Sequence, residues 1–205
     1  MRAVIRAFVR FLVVALVAGA ALTLYVVRQG VGARGEPGAI ETFLARNLRK
    51  LAIERHAGER RNPVPLTEES LAVGRAHFAD HCAVCHANDG SGETEMGRGL
   101  WPKAPDMRQA GTQSLSDGEL FYIIENGVRM TGMPAWGTGT PEGEEASWQL
   151  VHFIRHLPAI APEEIEAMER MNPKSAEQWR EETEIEAFLA GGDVPPPPAP
   201  PQHKH

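Results

Sequence analysis

The sequence predicts an all-α protein. Three observations point that way: an apolar run near the N-terminus, helix-opening residues at Thr67, Ser116, Thr140 and Ser175, and the lack of a convincing strand pattern. The chain of 205 residues has room for one or two domains, and with a net charge of −6 no nucleic-acid partner is expected. No internal repeat and no phosphate-binding glycine loop is visible.

The first element is a membrane helix. Arg2, Arg6 and Arg10 precede an uncharged apolar run from Phe11 to Val27, the flank expected on the cytoplasmic side. The run of 17 residues is at the short edge of what spans a bilayer, and Val4, Ile5, Ala7 and Phe8 extend it if Arg6 and Arg10 snorkel. The rival reading is a cleaved signal peptide, with Ala18-Gly19-Ala20 as the cutting site. The apolar run continues through Leu22–Val27, which favours an uncleaved signal-anchor over residues 1–29. Either reading exports the chain from about residue 30 onward.

Residues 30–66 form a basic linker. Across 28–66, eight Lys and Arg face four Asp and Glu. Residues 39–57 read as a helix with Phe43, Leu44, Leu48, Leu51 and Ile53 partly on one face. Arg46, Arg49, Lys50 and Arg55 either lie on an anionic lipid surface or form the solvated face of a helix packed on the next domain; both readings stand. Asn62-Pro63-Val64-Pro65 stops this segment.

Thr67 then caps a helix running to about Cys82, and the Gly- and Pro-punctuated stretch 87–114 reads as loop. Ser116 and Glu119 form a capping-box pattern for a helix to Glu125, closed by Asn126-Gly127. Thr140 and Pro141 open the next helix and Pro158 ends it. Beyond it, Pro162–Met171 and Ser175–Ala190 read as two acidic helices, the second opened by Ser175 with Gln178 and closed by Gly191. Trp179, Ile185, Phe188 and Leu189 form an apolar stripe, expected to cover another part of the chain; docking of a partner subunit is the alternative. Residues 193–205 are a Pro-rich tail, expected to be disordered. Residues 67–157 carry six basic and thirteen acidic side chains, and 158–205 four and ten.

Cys82-Ala83-Val84-Cys85-His86 is the motif that carries chemistry. Two thiols at this spacing can each form a thioether to one haem, and the adjacent imidazole then serves as an iron ligand. A disulfide-exchange pair would sit near a strand-helix-strand pattern, which is missing. A zinc site would need a fourth ligand, and no second Cys pair exists.

A second signal lies at Asn126–Trp136. His-ligated haem iron with a thioether on its other face has a raised reduction potential. Met133 sits between Gly132 and Pro134, in a bend and not a helix interior. Met130 is the rival, ahead of Met107 and Met96, while Met168 and Met171 read as packing residues.

With these motifs in order, the chain resembles the class I, mitochondrial-type c-type cytochromes, in particular bacterial membrane-anchored monohaem members, over about residues 67–157. Gly74, Phe78 and Cys82 share one helical face, as on that family's first helix, and Phe153 stands where the last helix presents an aromatic. The resemblance implies a class I cytochrome c fold around one covalent haem c. It implies Cys82 and Cys85 as attachment points, His86 and Met133 as iron ligands, and Pro105, with Pro102 as the second choice, as the carbonyl that orients His86. It implies one-electron transfer in a respiratory-type chain by a carrier that is not itself an enzyme, facing the periplasm or cell exterior from the bacterial cytoplasmic membrane. An acidic domain favours redox partners with a basic docking surface. A haem-bearing subunit of a larger oxidoreductase complex and a haem-based sensor with a labile sixth ligand are the alternatives. His77 and His81, on the helix before the cysteines, read as pointing away from the iron, His152 and His156 as surface or haem-propionate-adjacent residues, and Trp136 as packing.

Overall fold

The computed structural model describes residues 2–30, 32, 35, 37–174 and 176–190, and these contain helices and no strand. By contacts the chain divides into two compact units, residues 1–46 and 47–205.

In the first unit, α1 spans Arg2–Gln29. Its segment Val4–Arg28, 25 residues containing an 18-residue stretch of mean hydropathy 2.3, is long and apolar enough to cross a membrane. Its large apolar side chains are exposed, so nothing within the unit buries them. The helix α2, Ala39–Ala57, runs across the boundary of the units.

The second unit opens with the end of α2, where Ala57 is buried and His56 stacks on Tyr122 at 5.7 Å. The chain is then strapped down. Asn62 Nδ2 donates to the Trp148 carbonyl at 2.9 Å, and the Val64 carbonyl lies 2.7 Å from His152 Nε2. Next comes α3, Glu68–His77, whose N-cap is Thr67 as predicted. Its reciprocal partner is Ser70, which bonds the Thr67 N–H at 2.9 Å while Thr67 Oγ1 accepts from Ser70 N at 3.0 Å. The helix does not run uniformly to Cys82. A π segment, Phe78–Cys82, widens it before α4, Ala83–His86. Such widenings re-aim side chains and have no composition signal.

Two short helices, α5 (Glu95–Gly99) and α6 (Ala110–Gln113), punctuate the stretch expected to be loop. Thr94 caps α5, its Oγ1 accepting from Gly97 N at 2.8 Å. The predicted capping box of α7, Asp117–Asn126, forms: Ser116 N donates to Glu119 Oε2 at 2.7 Å, and Gly127 ends the helix at φ +63°. Thr140 caps α8, Pro141–His156, with Pro141 in its first turn. A 3-10 turn, Leu157–Ala159, carries Pro158.

The core lies between α3 and α8. Phe78 and Phe153 are fully buried with ring centroids 5.1 Å apart, and Phe121 stacks on Trp148 at 4.0 Å. Arg155 fastens α8 to the start of α7, donating to Asp117 Oδ1 and to the Gln113 and Leu115 carbonyls.

The helix α9, Pro162–Glu169, joins this core through Met168, which has no exposed surface. Glu164 accepts from Arg75 at 3.0 Å and lies 2.8 Å from His156. Burial alone would raise the Glu164 pKa. Hydrogen bonds from His156, the Ala161 N–H and Arg75 outweigh it and hold the carboxyl below its ordinary value.

The last helix, α10, spans Ala176–Leu189. Its apolar stripe differs from expectation. Trp179, Ile185, Phe188 and Leu189 are all exposed, and the Trp179 ring holds the Lys174 ammonium at 5.0 Å, so among the described residues the stripe is not buried against the domain core. Ser175, Gly191 and the Pro-rich tail lie outside the described residues.

Candidate haem site

The Cys82–His86 motif occupies the end of the π segment and the single turn of α4. That turn presents Cys82 and Cys85 half-buried and His86 buried. The two thiols are not joined to each other. Burial, then the neighbouring Cys85, pushes the Cys82 thiol up to about 12, and burial also raises Cys85. Both thiols are therefore protonated in the unmodified chain at neutral pH.

Burial drives the His86 imidazole down to about 4, against a raising pull from the Pro105 carbonyl. The ring is thus neutral at physiological pH, the state in which an imidazole nitrogen offers a lone pair to a metal. Its Nδ1 is buried without an aligned hydrogen-bond partner among the described residues, so the Pro105 carbonyl acts on the ring without a formed bond. Immediately after His86 the chain reverses at Ala87, a non-glycine residue at φ +60°.

The loop behind His86 is tightly closed. Gly92 N donates to the His86 carbonyl at 2.8 Å, and Met107 N donates to the Gly90 carbonyl at 2.8 Å. A Cβ on Gly92 would stand 2.5 Å from the Ala104 carbonyl oxygen, so only glycine lets these strands of loop approach. Arg108 braces Asp106 and Asp89 at 2.9 Å each, directly after Pro105.

Met133 sits in a loop locked by its own backbone. Val128 N donates to the Met133 carbonyl at 3.1 Å, Met133 N to Thr131 Oγ1 at 3.1 Å, and Thr131 Oγ1 to the Val128 carbonyl at 2.6 Å. A Cβ on Gly132 would stand 2.5 Å from Leu100 Cδ2, which ties this loop to the 94–104 segment. Met133 is half-buried, whereas Met130 is 92% exposed with φ +61°. Met107 is spent on the core.

His81, beside Cys82, and Trp136, three residues after Met133, meet with ring centroids 5.1 Å apart. That contact brings the cysteine motif and the methionine loop to one side of the fold. His77 packs edge-on against His81 at 4.9 Å, and burial with His81 lowers its pKa against the pull of Asp80. The histidines of α8 both have protein partners. His152 holds the Val64 strap and His156 the Glu164 carboxylate.

Several residues besides the predicted ligands support the site. Thr131 had a visible signal, a hydroxyl two residues before the methionine in a Gly/Pro loop. Asn172 and Asn88 had none. With its amide oriented to satisfy its neighbours, Asn172 donates to the Ala79 and Met168 carbonyls and to Asn88 Oδ1, linking the end of α9 to the haem-motif turn.

Residues 69–154 match the family described as cytochrome C oxidase, cbb3-type, subunit III. Residues 69–154 form a c-type cytochrome domain. No curated protein matches the chain. The cytochrome domain spans the Thr67-capped helix to the end of α8, and so contains the motif turn, the Pro105 loop and the Met133 loop. A domain of this kind carries covalently bound haem c. The residues fit that group: two unpaired thiols on one turn, a neutral buried imidazole next to them, and glycines where the surrounding loops close.

Proposed function

We propose that this chain is a membrane-tethered monohaem c-type cytochrome transferring one electron at a time in a respiratory-type chain. The observation that supports it best is the convergence, through His81 and Trp136, of the Cys82–His86 turn and the locked Met133 loop. Cys82 and Cys85 hold the haem by thioethers. His86 supplies a neutral imidazole and Met133 a thioether, while the Pro105 carbonyl orients the His86 ring. When bound, haem c supplies an iron that cycles between ferric and ferrous states. The chain's own contribution is ligation, orientation and an apolar pocket, so it is a carrier and not an enzyme.

In this reading residues 1–29 anchor the protein, 30–66 are the juxtamembrane segment, 67–157 the cytochrome domain, 158–192 the acidic extension and 193–205 the tail. The domain faces the periplasm or cell exterior, and its excess of acidic residues steers partners with basic docking surfaces. A spectroelectrochemical titration with intact mass measurement tests this. One haem per chain and a single one-electron step are expected; two haems, or a multi-electron step, would refute it.

The description of the matched family, together with the exposed stripe of α10, favours a second reading: a haem-bearing subunit of a larger oxidoreductase complex. A stable partner that co-purifies, and is lost on deleting residues 176–190, would establish it.

A further inference from the structure

The outward face of α2 is apolar and unused by the fold. Ile40, Leu44, Leu48 and Leu51 fall on one side of the helix at spacings of four, four and three. They are 77%, 51%, 65% and 62% exposed. The residues by which the C-terminal part of α2 packs within the second unit lie on the other side: half-buried Ile53, His56 stacked on Tyr122, and buried Ala57. Arg46, Arg49, Lys50 and Arg55 outnumber the acidic Glu41 and Glu54, of which Glu54 lies 3.6 Å from Lys50. Arg55 falls on the side of the stripe, while Arg46, Arg49 and Lys50 project from the flank and far side, one helix diameter from it. An apolar stripe on a helix of net positive charge, with every basic group within about a Debye length of the surface it would lie on, suits an anionic lipid interface.

We infer that α2 is a second membrane contact, lying in the headgroup layer of an anionic bilayer with Ile40, Leu44, Leu48 and Leu51 toward the acyl chains. This rests on the proposed retention of α1 as an anchor. Residues 30–38 alone separate α2 from α1, at most about 30 Å of extended chain. The tether keeps α2 at the bilayer surface whatever the protein concentration, which favours lipid over a second copy as occupant. Charge points the same way. Residues 67–157, with thirteen acidic and six basic side chains, are repelled by anionic lipid, so α2 is the element that offsets this repulsion.

The test is amide hydrogen exchange over residues 40–52 of the full-length holoprotein. It is reconstituted in nanodiscs of phosphatidylcholine alone, or of phosphatidylcholine with phosphatidylglycerol. Exchange is expected to slow at least about fivefold with phosphatidylglycerol, and less at high salt. R46Q/R49Q/K50Q and L44N/L48N, which change exposed side chains, should each abolish the slowing. Equal exchange in the two discs would overturn the inference. So would protection in neutral discs that rises with the number of chains per disc, which would identify a second copy as the occupant. Retention in the disc and an unchanged haem spectrum report the anchor and the haem site separately, so their loss would count against the proposed function instead.

Discussion

Gly74 of α3 faces the Gln149 carbonyl of α8 with no room for a side chain between them. A Cβ on residue 74 would collide with that carbonyl and stand 3.2 Å from Phe153 Cβ. The obstacle is backbone and cannot swing aside. Gly74→Val therefore forces the α3–α8 crossing apart and should destabilise the holoprotein by at least about 2 kcal/mol. Denaturant unfolding followed by haem absorbance measures this; a midpoint equal to the parent's would show that the helices are not in this contact.

Ala87 offers the opposite change. It holds φ +60° directly after His86, a conformation that costs a residue with a Cβ on the order of 1 kcal/mol or more. Ala87→Gly should stabilise the protein by about 1 kcal/mol, less what glycine adds to the entropy of the unfolded chain. A loss of stability would mean that the turn is not strained at this residue.

The brace behind Pro105 carries a pH signature. The Arg108 hydrogen bond, opposed by a small burial penalty, holds Asp106 at about 2 against an ordinary 3.8. A depressed carboxylate pKa stabilises the fold above the unfolded value, and that contribution is lost as pH falls through the folded one. The window is therefore from about pH 4 down to about pH 2. Asp106 is largely solvent-screened, so the effect is small, a lowering of Tm by at most roughly 4 °C in Asp106→Asn at neutral pH. The difference between parent and variant should vanish by about pH 2; a constant difference would assign it to something other than this charge.

The acidic extension divides in two by packing. Met168 of α9 is fully buried, so Met168→Ala should cost about 2–5 kcal/mol. Removing residues 176–205 should leave the thermal midpoint of the haem domain unchanged, because the apolar side chains of α10 are exposed. A large loss on that truncation would show that α10 supports the domain.

These contrasts explain what was legible in the sequence. Helix starts were readable because a cap is a local device: Thr67, Ser116 and Thr140 each bond an N–H within three residues. Gly74 was readable only through the family resemblance, which places a glycine where the last helix crosses the first. The π segment at Phe78–Cys82 was not, since no residue pattern distinguishes it from α-helix. Nor was the place of α9 in the core, which depends on Arg75, His156 and Ala79, all distant in sequence from Glu164 or Asn172. For the site, the cysteine motif and the methionine loop were legible as motifs. Their meeting through His81 and Trp136 was not, because that contact joins residues more than fifty positions apart. The exposed stripe of α10 shows the limit of periodicity: it marks an apolar face without saying what covers it.

In the proposed function His86 and Met133 would both ligate the iron of one haem. The absorption spectrum of the dithionite-reduced full-length protein, with and without carbon monoxide, tests it most directly, with Met133→Ala measured beside it. The parent should keep an unchanged low-spin spectrum under carbon monoxide, while that of Met133→Ala should shift. A parent spectrum that shifts, or a Met133→Ala protein that still excludes carbon monoxide, would contradict it, and a shifting parent would move the sensor reading ahead of the carrier.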